Sequence, residues 1–261
     1  MNKNSQAEQK LAASLTAETT ELLPYLPYLL QDIWELGSSP RDIIDLIREN
    51  IDVTDARVID LGCGKGAVSV SLCHELGIRA KGLDLLPEFI EEARNKANEY
   101  AVEHLCEFQV QDINESVKAE HGYDIAILGA VGDVLGKPAE TLRKLKSVVR
   151  EKGYIIIDEA YLNGDQADVK YLNYEYLTLT EWESLFKELN LELMGTTESD
   201  DCADESINNY NNKMIRQRAD ELSEKFPDKS RIFEGYVKSQ EMECDDLEYT
   251  VVGVTWLLRA K

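Results

Sequence analysis

Val58-Ile59-Asp60-Leu61-Gly62-Cys63-Gly64-Lys65-Gly66 is the segment from which the rest of the chain is read. A short apolar strand carries one carboxylate, three glycines then alternate, and Ala67 to Leu76 reads as a helix. Gly77 stops that helix where a left-handed cap is cheap. Glycine lets the backbone turn sharply and approach a ligand with no Cβ in the way. In an open α/β sheet such a turn lies at the carboxyl end of the first strand, beside the topological switch point.

Downstream the rhythm of strand and helix continues. Arg79–Leu83 reads as a second strand, and Pro87 opens a helix carrying Ile90, Ala93, Ala97 and Tyr100. Glu107–Gln111, Tyr123–Leu128 and Gly153–Asp158 are further strands, with a helix over Pro138–Arg150. This alternation predicts right-handed crossovers and a parallel sheet. Val58-Ile59 and Ile155-Ile156-Ile157 lack polar alternation, which suits a sheet covered on both faces. Thr180–Asn190 reads as a helix with Thr180 as N-cap and Glu183 completing a capping box. Leu191–Thr196 and Tyr249–Arg259 complete the strands.

The flanks differ in texture. The first dozen residues read as frayed. Glu18–Leu36 is apolar and aromatic, but Pro24 and Pro27 predict short helices rather than a long one. Ser39 is an N-cap ahead of Pro40, with Ile43, Ile44 and Ile47 on one helical face. Residues 1–50 form an N-terminal helical segment that serves as a lid or as core packing. Residues 51–261 form the main domain. Within it, 198–246 is a polar insertion with helical signal near Met214–Phe226 and Ile232–Lys238, read as a cap over a binding site or as a solvated surface.

Composition narrows the function. Among 261 residues, 28 Lys and Arg face 50 Asp and Glu, a net charge of −22. Such a surface repels phosphate backbones, so a nucleic-acid substrate is disfavoured. No apolar run reaches the roughly 18 to 20 residues that span a bilayer. Met1–Lys10 has no apolar core of a secretory signal, so a cytoplasmic location is expected. The five cysteines, Cys63, Cys73, Cys106, Cys202 and Cys244, form no C-x-x-C pair. Together with scattered His74, His104 and His121, they predict neither a disulfide framework nor a metal site.

The loop spacing is G-x-G-x-G, not the G-x-G-x-x-G of a dinucleotide site. A carboxylate at Asp60 would be unfavourable beside a pyrophosphate and favourable beside an ammonium group. Asp84 closes the second strand, where an acid can accept bonds from both ribose hydroxyls. Asp112, after the third strand, suits an adenine amino group, and Ile113 the ring. Glycines, an ammonium, a ribose and an adenine without phosphate describe S-adenosylmethionine.

These residues resemble the class I, S-adenosylmethionine-dependent methyltransferases. The resemblance covers Arg57–Leu162 well and the last strands more loosely. Thr250-Val251-Val252-Gly253 looks like the final strand of the small-molecule branch related to ubiquinone and menaquinone biosynthesis. It implies an α/β, doubly wound, Rossmann-like sheet of seven mostly parallel strands, with an antiparallel seventh between the fifth and sixth. A helical N-terminal segment would precede the sheet, and a helical insertion would precede the last strand. It also implies roles. Gly62, Cys63, Gly64 and Gly66 would line the methionine part, with Asp60 orienting it. Asp84 and Leu85 would take the ribose, Asp112 and Ile113 the adenine, while Leu128 and Gly129 would face the cofactor near the methyl group. S-adenosyl-L-homocysteine would be the product.

The acceptor side is less defined. Leu128-Gly129-Ala130-Val131 lacks the Asn/Asp-Pro-Pro motif of enzymes methylating adenine or glutamine amides, and no Pro-Cys offers a cytosine-5 nucleophile. A small-molecule N, O or C acceptor is therefore expected. Tyr25, Asp133, Glu159 and Tyr161 are the candidate acid–base or substrate-facing groups, with Tyr28, Tyr174 and Tyr176 as aromatic alternatives or core. Asp84 could also cap a helix, and both roles can hold together, Asp112 could be a turn residue, and Cys63 reads as a small buried filler. Lys65 reads as solvated. Two rival readings stay open: a non-catalytic cofactor-binding module, and a nicotinamide-dependent oxidoreductase, against which the glycine spacing argues.

Overall fold

A computed structural model describes residues 3–199 and 201–261, excluding the side chains of 3–5 and 201–206. In chain order the elements are α1 (Lys3–Ser14), α2 (Leu26–Leu29), α3 (Pro40–Asn50), β1 (Arg57–Leu61), α4 (Ala67–Leu76), β2 (Arg79–Asp84), α5 (Pro87–Glu99) and β3 (Cys106–Val110). Next come α6 (Ile113–Ala119), β4 (Tyr123–Gly129), α7 (Pro138–Val148), β5 (Val149–Leu162), α8 (Leu179–Glu188), β6 (Leu191–Glu198), α9 (Asp201–Lys225), α10 (Ser230–Tyr249) and β7 (Val251–Ala260). They divide into two compact units: Glu35–Glu159 with Leu179–Thr197 and Val254–Lys261, and Met1–Trp34 with Ala160–Thr178 and Glu198–Gly253. Residues 1–50 thus contribute to both.

The first unit is built on the sheet. Its order is β3-β2-β1-β4-β5-β7-β6. The pairs β3–β2, β2–β1, β1–β4 and β4–β5 are parallel, and β7 runs antiparallel. The parallel strands are those the strand–helix alternation implied, and the doubly wound order is the one the resemblance implied. Order changes direction between β1 and β4, so the carboxyl ends of β1 and β2 open beside the switch point. Val58, Ile59, Leu61 and the run Ile125–Leu128 are buried, as expected of strands covered on both faces. At the far end Trp182 and Phe186 of α8 meet Trp256 of β7, with ring centroids 5.0 Å and 5.4 Å from Trp256.

Local chemistry explains most element ends. Ser39 accepts the Asp42 N–H and Pro40 occupies the first turn of α3. Gly77 ends α4 at φ +65°. The capping box is the exception. Leu179 already lies in α8, so Thr180 sits inside the first turn, and its carbonyl accepts the Ser184 hydroxyl. The N-terminus also differs from the expected frayed end, because Lys3–Ser14 is helical; Met1 and Asn2 lie outside the described residues.

The second unit is mainly helical. Pro24 and Pro27 do limit the early segment to a 3₁₀ turn over Thr20–Tyr25 and the single turn of α2. Tyr25 stacks edge-on against Phe226 and Phe233, while the Tyr28 hydroxyl donates to Glu221. α9 and α10 pack together across a turn at Pro227–Lys229. Buried Asp246 of α10 accepts the backbone N–H groups of Lys170 and Tyr171. Tyr176 is buried with Val169, Ala160 and Val251, and Tyr174 packs on it, so both tyrosines are core residues.

The aromatic cluster gives the first test. Trp256→Ala removes a fully buried indole and should lower stability by about 3–5 kcal/mol, the usual scale for such a deletion. Urea unfolding followed by far-ultraviolet circular dichroism measures it. A loss below about 1 kcal/mol would show that the cluster does not anchor β7.

Candidate functional site

The glycine loop is held from two sides. Gly62 and Cys63 both donate their N–H to the Leu83 carbonyl, at 2.8 Å and 2.9 Å, so the chain leaves β1 while still bound to β2. Gly66 then donates to Cys63 O at 2.9 Å, closing a tight turn into α4. The three glycines have φ of +79°, +51° and +77°. L-residues adopt this region only at a cost. Space forbids side chains as well. A Cβ on Gly62 would come within 2.8 Å of Val131, and one on Gly66 within 2.8 Å of Ala93. The glycines are therefore required by conformation and by packing together.

Asp84 ties the loop to the next strand end. Its Oδ2 accepts the Gly64 N–H and its Oδ1 the Leu86 N–H, both at 2.9 Å. The side chain is only 7% exposed. Burial raises its carboxyl above the ordinary value, opposed by the backbone N–H groups of Leu86, Gly64 and Leu85. Each oxygen keeps a further lone-pair direction, so the carboxylate can still accept from a diol. It thus orders the start of α5 and remains able to bind. Leu85, beside it, is half-buried.

Asp60 is 3% exposed and accepts the Ser69 hydroxyl at 2.7 Å. Burial raises it to about 6, with Ser69 opposing and the nearby Asp84 adding to the rise. Two buried acids side by side favour a positively charged guest. Cys63 is buried and its thiol is pushed well above the ordinary value, mainly by burial and then by Asp60 and Asp84. It is a small filler rather than a thiolate nucleophile.

Lys65 corrects the sequence reading. It is not solvated: its side chain is wholly buried, and its Nζ lies 3.0 Å from Glu92 of α5 and 5.8 Å from the Phe89 ring centre. The signal for this pairing lies on another helix, and loop spacing does not carry it.

The remaining residues occupy the same edge of the sheet. Asp112 caps α6, its Oδ1 accepting the Asn114 N–H at 2.8 Å, and Ile113 is buried behind it. Leu128 is buried and Gly129 half-exposed at the end of β4. The segment Leu36-Gly37-Ser38, unmarked by any motif, also reaches this edge. Leu36 lies against Gly64, Gly37 against Ala130 and Ser38 against Gly129.

The acid–base candidates separate. Asp133 is ion-paired with Lys137 at 2.9 Å. Glu159 ends the sheet unit's share of β5. Tyr25 and Tyr161 belong to the helical unit. The Tyr161 hydroxyl donates to Glu198 at 2.7 Å, and burial together with that carboxylate pushes it up to about 12. It stays protonated near neutrality. Cys63, Cys73, Cys106 and Cys244 are free thiols, and the Cys202 side chain lies outside the described residues. Among the described residues no group of three His, Cys, Asp or Glu is placed to hold a metal ion.

Asp60 generates a pH test. The folded state keeps a proton that the unfolded chain gives up near pH 4. Stability contributed by this group is therefore present below about pH 4 and lost as pH rises through 6. Asp60→Asn should stabilise the free protein by about 2–3 kcal/mol at pH 8 and change it little near pH 4. Urea unfolding at the two pH values measures this, and an equal effect at both would contradict it.

Known proteins share this fold. The family described as a methyltransferase domain matches residues 52–225, two thirds of the chain. A ubiquinone biosynthesis O-methyltransferase of Neisseria meningitidis is 27% identical over 115 residues, 43% of this chain and 47% of that one. A ribosomal protein L11 methyltransferase of Escherichia coli is 28% identical over 109 residues, 41% of this chain and 34% of the other. The match thus spans less than half the length of these relatives. Among solved structures, a SAM-dependent methyltransferase from Thiobacillus denitrificans in complex with S-adenosyl-L-homocysteine superposes with a TM-score of 0.76 at 19% identity. That alignment covers 91% of this chain and 98% of the other. A glycine loop between β1 and α4, buried acids at the ends of β1 and β2, and a family match over most of the sheet place this chain in the methyltransferase-domain family.

Proposed function

We propose that the chain is an S-adenosylmethionine-dependent methyltransferase acting on a small-molecule N, O or C acceptor. The observation that carries this is Asp84, buried at the end of β2 with its carboxylate bonded to the glycine loop. The residues suit the cofactor. Gly62, Gly64 and Gly66 hold positive φ and pack on Val131, Leu36 and Ala93, which gives the turn its bare backbone, and Cys63 is buried in the same turn. In this reading Asp60 would meet an ammonium group, Asp84 and Leu85 the ribose, and Asp112 with Ile113 the adenine. Leu128 and Gly129 would flank the reacting end.

When bound, S-adenosylmethionine supplies a methyl group on a sulfonium, an excellent leaving group for in-line displacement. The protein's task is then to hold two reactants in line and exclude water. Orientation of this kind is worth roughly 7 to 11 kcal/mol. A base is needed only for an acceptor that arrives protonated. Among the candidates, Asp133 and Glu159 are the carboxylates proposed for that duty, and Tyr161, its hydroxyl bonded to Glu198, would face the acceptor with its ring. The lid role of residues 1–50 and the cap role of 198–246 belong to the same proposal.

A non-nucleic acceptor is supported by the net charge of −22, and a cytoplasmic setting, favoured by the unpaired spacing of the cysteines, belongs to the same proposal. Among the described residues no helix is long and apolar enough to cross a membrane.

Isothermal calorimetry with S-adenosylhomocysteine should give micromolar binding. Asp84→Ala should weaken it by roughly 1.5–3 kcal/mol, the scale of hydrogen bonds to a charged group. Unchanged affinity would remove Asp84 from the site, and no binding by the wild-type protein would overturn the proposal. Methyl transfer from labelled S-adenosylmethionine into metabolite pools should yield a small labelled product. Binding without product in every pool would favour a non-catalytic module.

A further inference from the structure

Two adjacent serines precede α3, and the fold uses them differently. Ser39 Oγ accepts the Asp42 N–H and caps the helix. Ser38 Oγ is buried, its residue only 8% exposed, and finds no hydrogen-bond partner within the protein. Among the described residues, the other buried side-chain polar atom in that state is Trp182 Nε1. That indole belongs to the aromatic cluster with Phe186 and Trp256. A buried hydroxyl without a partner costs free energy, so native structures rarely keep one without cause.

Its position supplies a cause. Ser38 Oγ faces Gly129, the residue that ends β4, so closely that a Cβ there would collide with it. On the same short segment, Leu36 Cδ1 lies 3.1 Å from where a Gly64 Cβ would stand. Gly37 is pressed on Ala130, leaving 2.5 Å between a Cβ built on it and the Ala130 Cβ. Leu36-Gly37-Ser38 therefore crosses from the glycine loop to the end of β4. It brings an uncommitted hydroxyl to the edge that carries Asp60 and Gly129.

We propose that Ser38 is a cofactor-binding residue whose hydroxyl bonds the amino-acid end of S-adenosylmethionine. The inference rests on the methyltransferase reading and deepens it. A hydroxyl suits a zwitterion, since it donates to a carboxylate oxygen and accepts from an ammonium. Asp60 alone offers the ammonium a carboxylate; Ser38 adds a neutral group that serves either charge. The specificity that follows is for ligands carrying the aminobutyrate tail over nucleosides that lack it.

Two ligands separate this role from packing. S-adenosylhomocysteine has the amino-acid tail, and 5′-methylthioadenosine keeps the adenosine and sulfur without it. In Ser38→Ala, the dissociation constant for S-adenosylhomocysteine should rise about tenfold or more, on the scale of a hydrogen bond to a charged group. Affinity for 5′-methylthioadenosine should change less than twofold. The ligand-free melting temperature should stay equal or rise, because an unpartnered polar atom has been removed. Equal weakening of both ligands, or unchanged binding of S-adenosylhomocysteine, would overturn this inference alone. Failure of the wild-type protein to bind S-adenosylhomocysteine would overturn the methyltransferase reading and this inference with it.

Discussion

The bond between the Asp84 carboxylate and the Gly64 N–H is the constraint on which the site depends. A loop of left-handed glycines has no side chains of its own to fix it, and it pays the largest entropy of any residue type on ordering. Asp84 anchors that loop to the end of β2, and with Oδ1 it also orders the chain entering α5. Leu83 O does the same from the backbone by taking the Gly62 and Cys63 N–H groups. One strand end thereby shapes both the cradle and its charged wall.

The same rim gathers terms that oppose folding. Asp60 is buried with its carboxyl raised to about 6, Ser38 Oγ lacks a partner, and three glycines hold positive φ. Several polar groups elsewhere are matched: Lys65 with Glu92, Asp246 with two backbone donors, Arg218 with Asp32 and Glu221. Several unfavourable terms meeting on one rim are what a binding site looks like before its ligand is considered. A guest carrying an ammonium and several hydrogen-bonding groups would relieve more than one of them.

What the sequence displayed were the local features. The Asp60–Gly66 turn, the Ser39-Pro40 start of α3 and the stop at Gly77 follow from neighbouring residues, and all three stand as read. Strand–helix alternation carried the parallel part of the sheet, because apolar strands need cover on both faces, while the place of the antiparallel last strand came from the resemblance. Residues whose environment comes from distant segments were not legible. Lys65 looks solvated until Glu92 and Phe89 of α5 are packed against it. Ser38 looks like a spare polar residue until β4 ends against it. Thr180 and Glu183 spell a capping box, yet α8 begins at Leu179. α9 and α10 outrun the helical signal of their sequence, since polar residues continue the helix where tertiary contacts hold it.

The central claim is that the carboxyl ends of β1 and β2 hold an adenosyl group by its ribose. A crystal structure of the protein soaked with S-adenosylhomocysteine tests it most directly. The account expects both ribose hydroxyls within hydrogen-bond distance of the Asp84 carboxylate and the thioether over the glycine loop. A nucleoside bound elsewhere, or one whose ribose leaves Asp84 untouched, would contradict it.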